Sequence, residues 1–119
     1  MGFVRTKLVI ADPTKAKVLE LSFLADTGSW YTVIPPKVAE ELGVKPVART
    51  RVLTADKREV EADIVVVFVR GLGREAPVFA ATMESPEPMI GVEALEALGL
   101  TVDPASGELK PTRPYGLLL

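Results

Sequence analysis

The segment LADTGSWYTVIP, residues 24–35, holds the residues best placed to do chemistry. Asp26 closes an apolar, strand-like run and is followed at once by Thr27, Gly28 and Ser29. A carboxylate at a strand end in a tight turn is an unfavourable place for a charge unless it has work to do. One reaction wants that placement. Hydrolysis of a peptide bond by paired carboxylates needs two aspartates close together in a shielded cleft, sharing one proton. The chain has one Asp-Thr-Gly turn, so a pair requires two copies of the chain.

Composition removes most competing chemistries. The 119 residues contain no cysteine and no histidine. Disulfides, thiol nucleophiles and thiolate metal sites are therefore absent, as are Ser-His and Cys-His catalysis and the commonest metal ligand. No metal site or cofactor is expected. Apolar residues make up 48% of the chain, enough for a core, and residues 1–119 are expected to form a single domain. The net charge of −2, without a basic stripe, does not suggest nucleic acid. No apolar run reaches the length of a membrane span. The opening MGFVRTKLVIADP alternates instead of forming a signal-peptide core, so a cytoplasmic location is expected.

The elements that must position Asp26 are mainly strands. Val4 to Ile10 and Lys17 to Leu24 read as a hairpin around Asp12-Pro13 that delivers Asp26 at its far end. Thr32 to Ile34 is a short β-branched strand, and Pro35-Pro36 opens a helix over Lys37 to Leu42 that Gly43 ends. Val47 to Thr54 and Glu59 to Val69 form the longest hairpin, with Ala55, Asp56, Lys57 and Arg58 at its tip. The continuous Val65–Val69 run marks a central strand. A turn at Gly71 to Gly73 leads to a strand over Pro77 to Thr82, and Glu84 to Pro88 is a loop. A helix over Val92 to Leu98 ends at Gly99, and Thr101–Asp103 with Glu108–Lys110 makes a last hairpin. Val38–Val44 (VAEELGV) echoes Ala94–Leu100 (ALEALGL), which fits two halves related by a pseudo-twofold.

The order and spacing of LADTGSWYTVIP, a hairpin, a polar loop and EPMIGVEALEALGLTVD resemble the retroviral-type aspartic proteases. The small prokaryotic single-domain members are the nearest in pattern. The resemblance runs from about Leu19 to Leu109. It implies a retropepsin-like acid protease fold: a mainly β, closed barrel-like subunit with short helices, acting as a homodimer on polypeptide substrates. Asp26 and its symmetry mate would be the catalytic dyad, one carboxylate activating a water and the other protonating the scissile group. Thr27 would lock the two loops across the axis, Gly28 would let the backbone turn, and Ser29 completes the loop. Ala55 to Arg58 would be the flap over bound peptide. By position, Met89, Ile90 and Gly91, with Val33, would wall an apolar substrate pocket. The apolar tail Leu117–Leu119 fits interleaved termini in the dimer.

Two positions depart from the family. The flap tip carries Asp56-Lys57 where the family usually has glycine. Trp30 and Val92 stand where retroviral enzymes pair an acid with an arginine. Trp30 and Tyr31 are expected to pack in the core beside the Asp26 loop rather than stack on a ligand. Asp12 and Asp103, each before a proline, are expected to be turn formers. The charges of the long hairpin are expected to form a mixed, solvated face. The alternative to an endopeptidase is a dimer of the same fold that holds extended peptides without cutting them.

Overall fold

Leu8 and Ile10 alternate with Lys7 and the less buried Val9 in β1 (Arg5–Ala11), and Leu19, Leu21 and Phe23 with Glu20 and Ser22 in β2 (Val18–Ala25). The antiparallel register sets Leu8 opposite Leu21 and Ile10 opposite Leu19, so one face of this hairpin is apolar and buried. These are the first strands of a computed structural model that describes residues 4–25, 28–53 and 57–115. Asp12 shapes the turn between them. Its carboxylate accepts the Thr14 hydroxyl and the amides of Thr14 and Lys17, and these bonds hold it below the usual carboxylate range. Asp103 accepts the amides of Ala105 and Ser106 in the same way.

The remaining elements follow as β3 (Thr32–Ile34), α1 (Pro36–Leu42), β4 (Ala48–Leu53), β5 (Glu59–Gly71) and β6 (Arg74–Thr82), then β7 (Met89–Ile90), α2 (Val92–Leu98), β8 (Leu100–Val102) and β9 (Leu109–Pro111). The main sheet runs β1-β2-β7-β3-β6-β5-β4. A further β1–β5 pairing, Val9 to Ala11 against Phe68 to Arg70, closes six of these strands into a ring. The fold is the mainly β, barrel-like subunit expected. β4 stays outside the ring, paired only to the first half of β5, so the two project as an arm.

The thirteen residues of β5 serve two apolar clusters. Val65, Val67 and Val69 point into the barrel with Leu8, Ile10, Phe23, Ile34 and Ile90. Ala62 and Ile64, on the opposite face, pack with Ala81 and half-buried Tyr31, Val52 and Met83. A strand buried on alternate faces along its length reads as a continuous apolar run, which is what the sequence shows.

Two strands differ from the sequence reading. β7 has no counterpart in that reading and forms because Met89 and Ile90 pair in parallel with Leu24 and Ala25, and Met89 pairs with Val33. β6 starts at Arg74, three residues before the expected Pro77. A proline fits mid-strand because β3 reaches only Ala80 to Thr82, leaving the outer edge of β6 without a neighbouring strand at Pro77. The outward-facing positions on that edge are Glu75, Pro77 and Phe79. The Tyr115 hydroxyl accepts from the Glu75 amide at 3.0 Å and donates to its carbonyl at 2.9 Å, while the Phe79 amide donates to Glu93 Oε1 at 3.3 Å.

The echoed segments end alike, with Gly43 and Gly99 both left-handed at the helix C-termini. The end of α2 has additional partners. Buried Arg74 donates to the carbonyls of Leu98 and Gly99, and Arg113 to those of Glu96 and Ala97. The two guanidinium groups thus satisfy carbonyls that a helix end leaves free and oppose its dipole. The Arg74 guanidinium also lies 5.4 Å from the Tyr115 ring centroid. Tyr115→Phe is expected to lower unfolding free energy by up to about 1 kcal/mol, measured by denaturant titration. An unchanged midpoint would mean that the hydroxyl adds nothing to the β6 edge.

Candidate active site

The end of β2 is fixed from both sides. The Leu24 amide donates to the Pro88 carbonyl and the Ala25 amide to the Val4 carbonyl, both at 2.9 Å. Asp26 and Thr27, the next two residues, lie outside the described residues, as do Ala55 and Asp56 of the flap.

The chain from Ser29 onward is bound to the start of α2. The Val92 amide donates to the Ser29 carbonyl at 2.8 Å and the Glu93 amide to the Trp30 carbonyl at 3.1 Å. Ser29 Oγ donates to the Tyr31 carbonyl at 2.7 Å. Thr32, fully buried, accepts the Gly91 amide on Oγ1 at 3.1 Å. Gly91 has ordinary extended dihedrals, so close approach is what requires glycine there. A Cβ would lie 2.5 Å from the Trp30 carbonyl oxygen and from the Tyr31 backbone. The absent acid–arginine pair at 30 and 92 is thus matched by main-chain hydrogen bonds between the same two segments.

These segments border a groove of about 870 Å³. Residues 28–31, Val33, Ala81 and Met89 lie along it, together with Met83 to Pro86 and with Arg51 to Leu53 and Lys57 of the arm. The structure therefore brings Gly28, Ser29, Val33, Met89 and Lys57 to one place. It does not bring Ile90 or Gly91 there. Ile90, expected to wall the pocket, is fully buried in the barrel core, because successive residues of a strand face opposite sides and Met89 takes the groove side. Gly91 is buried beneath the Trp30–Tyr31 backbone. Arg58 is exposed next to Lys57, and Lys57 has a left-handed φ of 65° at the tip where glycine is the easier residue.

Tyr31 packs against the Ala62–Ile64–Ala81 cluster as expected, but Trp30 does not pack in the core. It is 55% exposed and lies along the groove, which half-buried Tyr31 also lines while packing against that cluster. The arm's charges are mutually paired: Arg49 with Glu61 and Asp63, and Arg51 with Glu59. Burial pushes the Glu93 carboxyl above its ordinary range, and the hydrogen bond from the Phe79 amide opposes that shift.

Sequence reasoning passed over the clamp on the groove's 83–88 side. Arg5 donates from Nε and Nη2 to both Glu87 carboxylate oxygens, at 2.7 and 2.8 Å. Nothing local signals a pair so distant in sequence. The Arg5 hydrogen bonds hold the Glu87 carboxyl below its usual range. Thr32 was more legible, as the polar member of an otherwise apolar strand.

Residues 13–94, well over half of the chain, match the sequence model of a family described as aspartyl protease. The chain belongs to the aspartyl protease family. It is an aspartic-type endopeptidase, a hydrolase of peptide bonds. Among curated proteins, no sequence matches this protease. Solved structures match its fold. EIAV protease in complex with an inhibitor superposes with a TM-score of 0.63 at 20% identity, over 82% of this chain and 89% of that one. Simian foamy virus (mac) protease gives 0.56 at 14% identity, over 77% and 91%. The foamy viral protease-reverse transcriptase gives 0.55 at 18%, over 77% of this protease but 12% of that longer chain. At these identities the likeness concerns the retroviral protease fold.

Gly91→Ala is expected to destabilise the protease by about 2–3 kcal/mol, since backbone rather than a side-chain tip must yield. Thermal or denaturant unfolding measures it. The Arg5–Glu87 clamp has a pH signature. A carboxyl whose folded pKa is depressed contributes stability above its unfolded pKa and loses it as pH falls through the folded value. The amides of Glu84, Ser85 and Glu87 are expected to exchange faster in Glu87→Gln than in wild type near neutrality, and at the same rate once Glu87 is protonated. Equal exchange at neutral pH would show that the clamp does not order this side of the groove.

Proposed function

We propose that two copies of the chain associate about a twofold axis and that their Asp26 carboxylates form the catalytic dyad. The observation that carries this reading is that Gly28, two residues beyond Asp26, borders the same groove as Met89 and the β4–β5 arm. The single Asp-Thr-Gly turn supports the two-copy arrangement, since one copy supplies one such carboxylate. Adjacent carboxylates titrate as a unit, so one is ionised while the other keeps its proton. The ionised Asp26 removes a proton from a bound water as its oxygen attacks the scissile carbonyl carbon. The protonated Asp26 gives its proton to the carbonyl oxygen, and a tetrahedral diol forms. Collapse of that diol, with proton transfer to the amide nitrogen, breaks the C–N bond and releases an amine and a carboxylic acid.

The polypeptide lies extended between the arm and the groove floor, gaining main-chain hydrogen bonds by strand addition. Apolar surface from Val33, Met83 and Met89 favours apolar side chains beside the scissile bond.

The test is digestion of a mixed peptide library from acidic to neutral pH by wild type and Asp26→Asn, read by mass spectrometry, with sedimentation of both. Wild type is expected to sediment as a dimer and to cleave with a bell-shaped pH profile. The substitution is expected to lower turnover about a thousandfold or more without dissociating the dimer. Cleavage that survives the substitution would place the chemistry elsewhere. Peptide binding without turnover in either form would favour a non-catalytic peptide-holding dimer.

A further inference from the structure

Trp30 combines a rigid main chain with a free side chain. Its carbonyl accepts the Glu93 amide, and the backbone at Gly91 packs so closely against it that no Cβ fits between them. Its ring is nevertheless 55% exposed. An aromatic ring left half in water forgoes much of the largest burial gain any side chain offers. The ring also has few conformations to lose when something covers it, because it turns about only two side-chain torsions.

The groove says what passes over it. Trp30 lines it with Gly28, Tyr31 and Met89 and with Lys57 of the arm, and of the two aromatic residues it is the more exposed. An extended peptide laid between arm and floor must cross the indole. We propose that Trp30 is the specificity-determining residue of the cleft, and that the side chain it selects is aromatic or large and apolar, packed on the indole face. This inference rests on the groove being the substrate cleft. The competing occupant is a second copy of the chain, which would cover the same ring in the absence of any peptide.

The chain holds one tryptophan, so its fluorescence reports this ring alone. The binding experiment uses Asp26→Asn and peptides of fixed alanine-based sequence in which a single phenylalanine is moved position by position. One placement is expected to shift Trp30 emission to the blue and protect it from acrylamide, while the parent peptide without phenylalanine does neither. In the active enzyme, Trp30→Ala is expected to raise KM for that peptide about tenfold or more. Turnover at saturation should change little, and Trp30→Phe should recover most of the loss. Emission that follows protein dilution and ignores every peptide would assign the ring to a contact between copies and overturn the proposal. So would an unchanged KM in Trp30→Ala. Absence of cleavage by wild type would instead be a failure of the catalytic reading, and the fluorescence titration would still decide whether Trp30 receives a peptide side chain.

Discussion

The barrel and the site both depend on a strand of two residues. β7 lies between β2 and β3, and without it neither strand would have a neighbour on that side. Its pairing in parallel with Leu24 and Ala25 fixes where β2 ends. Its continuation, Gly91 to Glu93, takes hold of the chain just beyond the Asp-Thr-Gly turn through hydrogen bonds to Ser29 and Trp30. A contact this short cannot gain much from its own two residues. Neighbours on both sides, the buried Thr32 hydroxyl and a glycine that admits the Trp30–Tyr31 backbone hold it in place. The site is thus built on main-chain geometry, and side chains are free to face the groove.

Alternation then divides the labour. Met89 faces the groove while Ile90 fills the core; Trp30 and Tyr31 both line the groove, but only Tyr31 also packs against the second cluster. In β5 the two faces are separated along the strand, Ala62 and Ile64 packed with the groove-lining Tyr31, Val52, Ala81 and Met83, and Val65, Val67 and Val69 inside the barrel. The apolar material under the groove is therefore continuous, through one rigid strand, with the core that makes the subunit stable.

Much of this was legible in the sequence. The hairpin leading to Asp26, the β3 strand, the α2 helix and its Gly99 terminus follow from period, β-branching and helix-end chemistry. What was not legible is what tertiary pairing decides. Met89-Ile90 is too short to carry a period, so its strand state and the inward turn of Ile90 exist only because β2 and β3 flank it. Pro77 reads as a strand start because the unpaired edge that tolerates it cannot be seen locally. Trp30 reads as core because bulk apolar residues usually are; its neighbour Tyr31 took that place instead. The Arg5–Glu87 clamp and the two arginines on the end of α2 join distant segments and leave no local mark.

The outer edge of β6 bears on how such a protein stays soluble in its own company. An enzyme that receives extended polypeptide as an added strand carries the hazard that any bare ladder of amides recruits chain indiscriminately, its own included. At Glu75, Pro77 and Phe79 that ladder is closed in three different ways: by a phenol from the C-terminal segment, by a ring with no proton to give, and by a carboxylate from α2. β4, at the other margin of the sheet, carries Arg49 and Arg51 in exposed ion pairs with Glu61, Asp63 and Glu59, a hydrated charged face that is costly to cover with another strand. Adhesion between strands is thereby blocked along these two margins, and the capacity to hold a foreign strand can be confined to the cleft without the molecules polymerising through their sides.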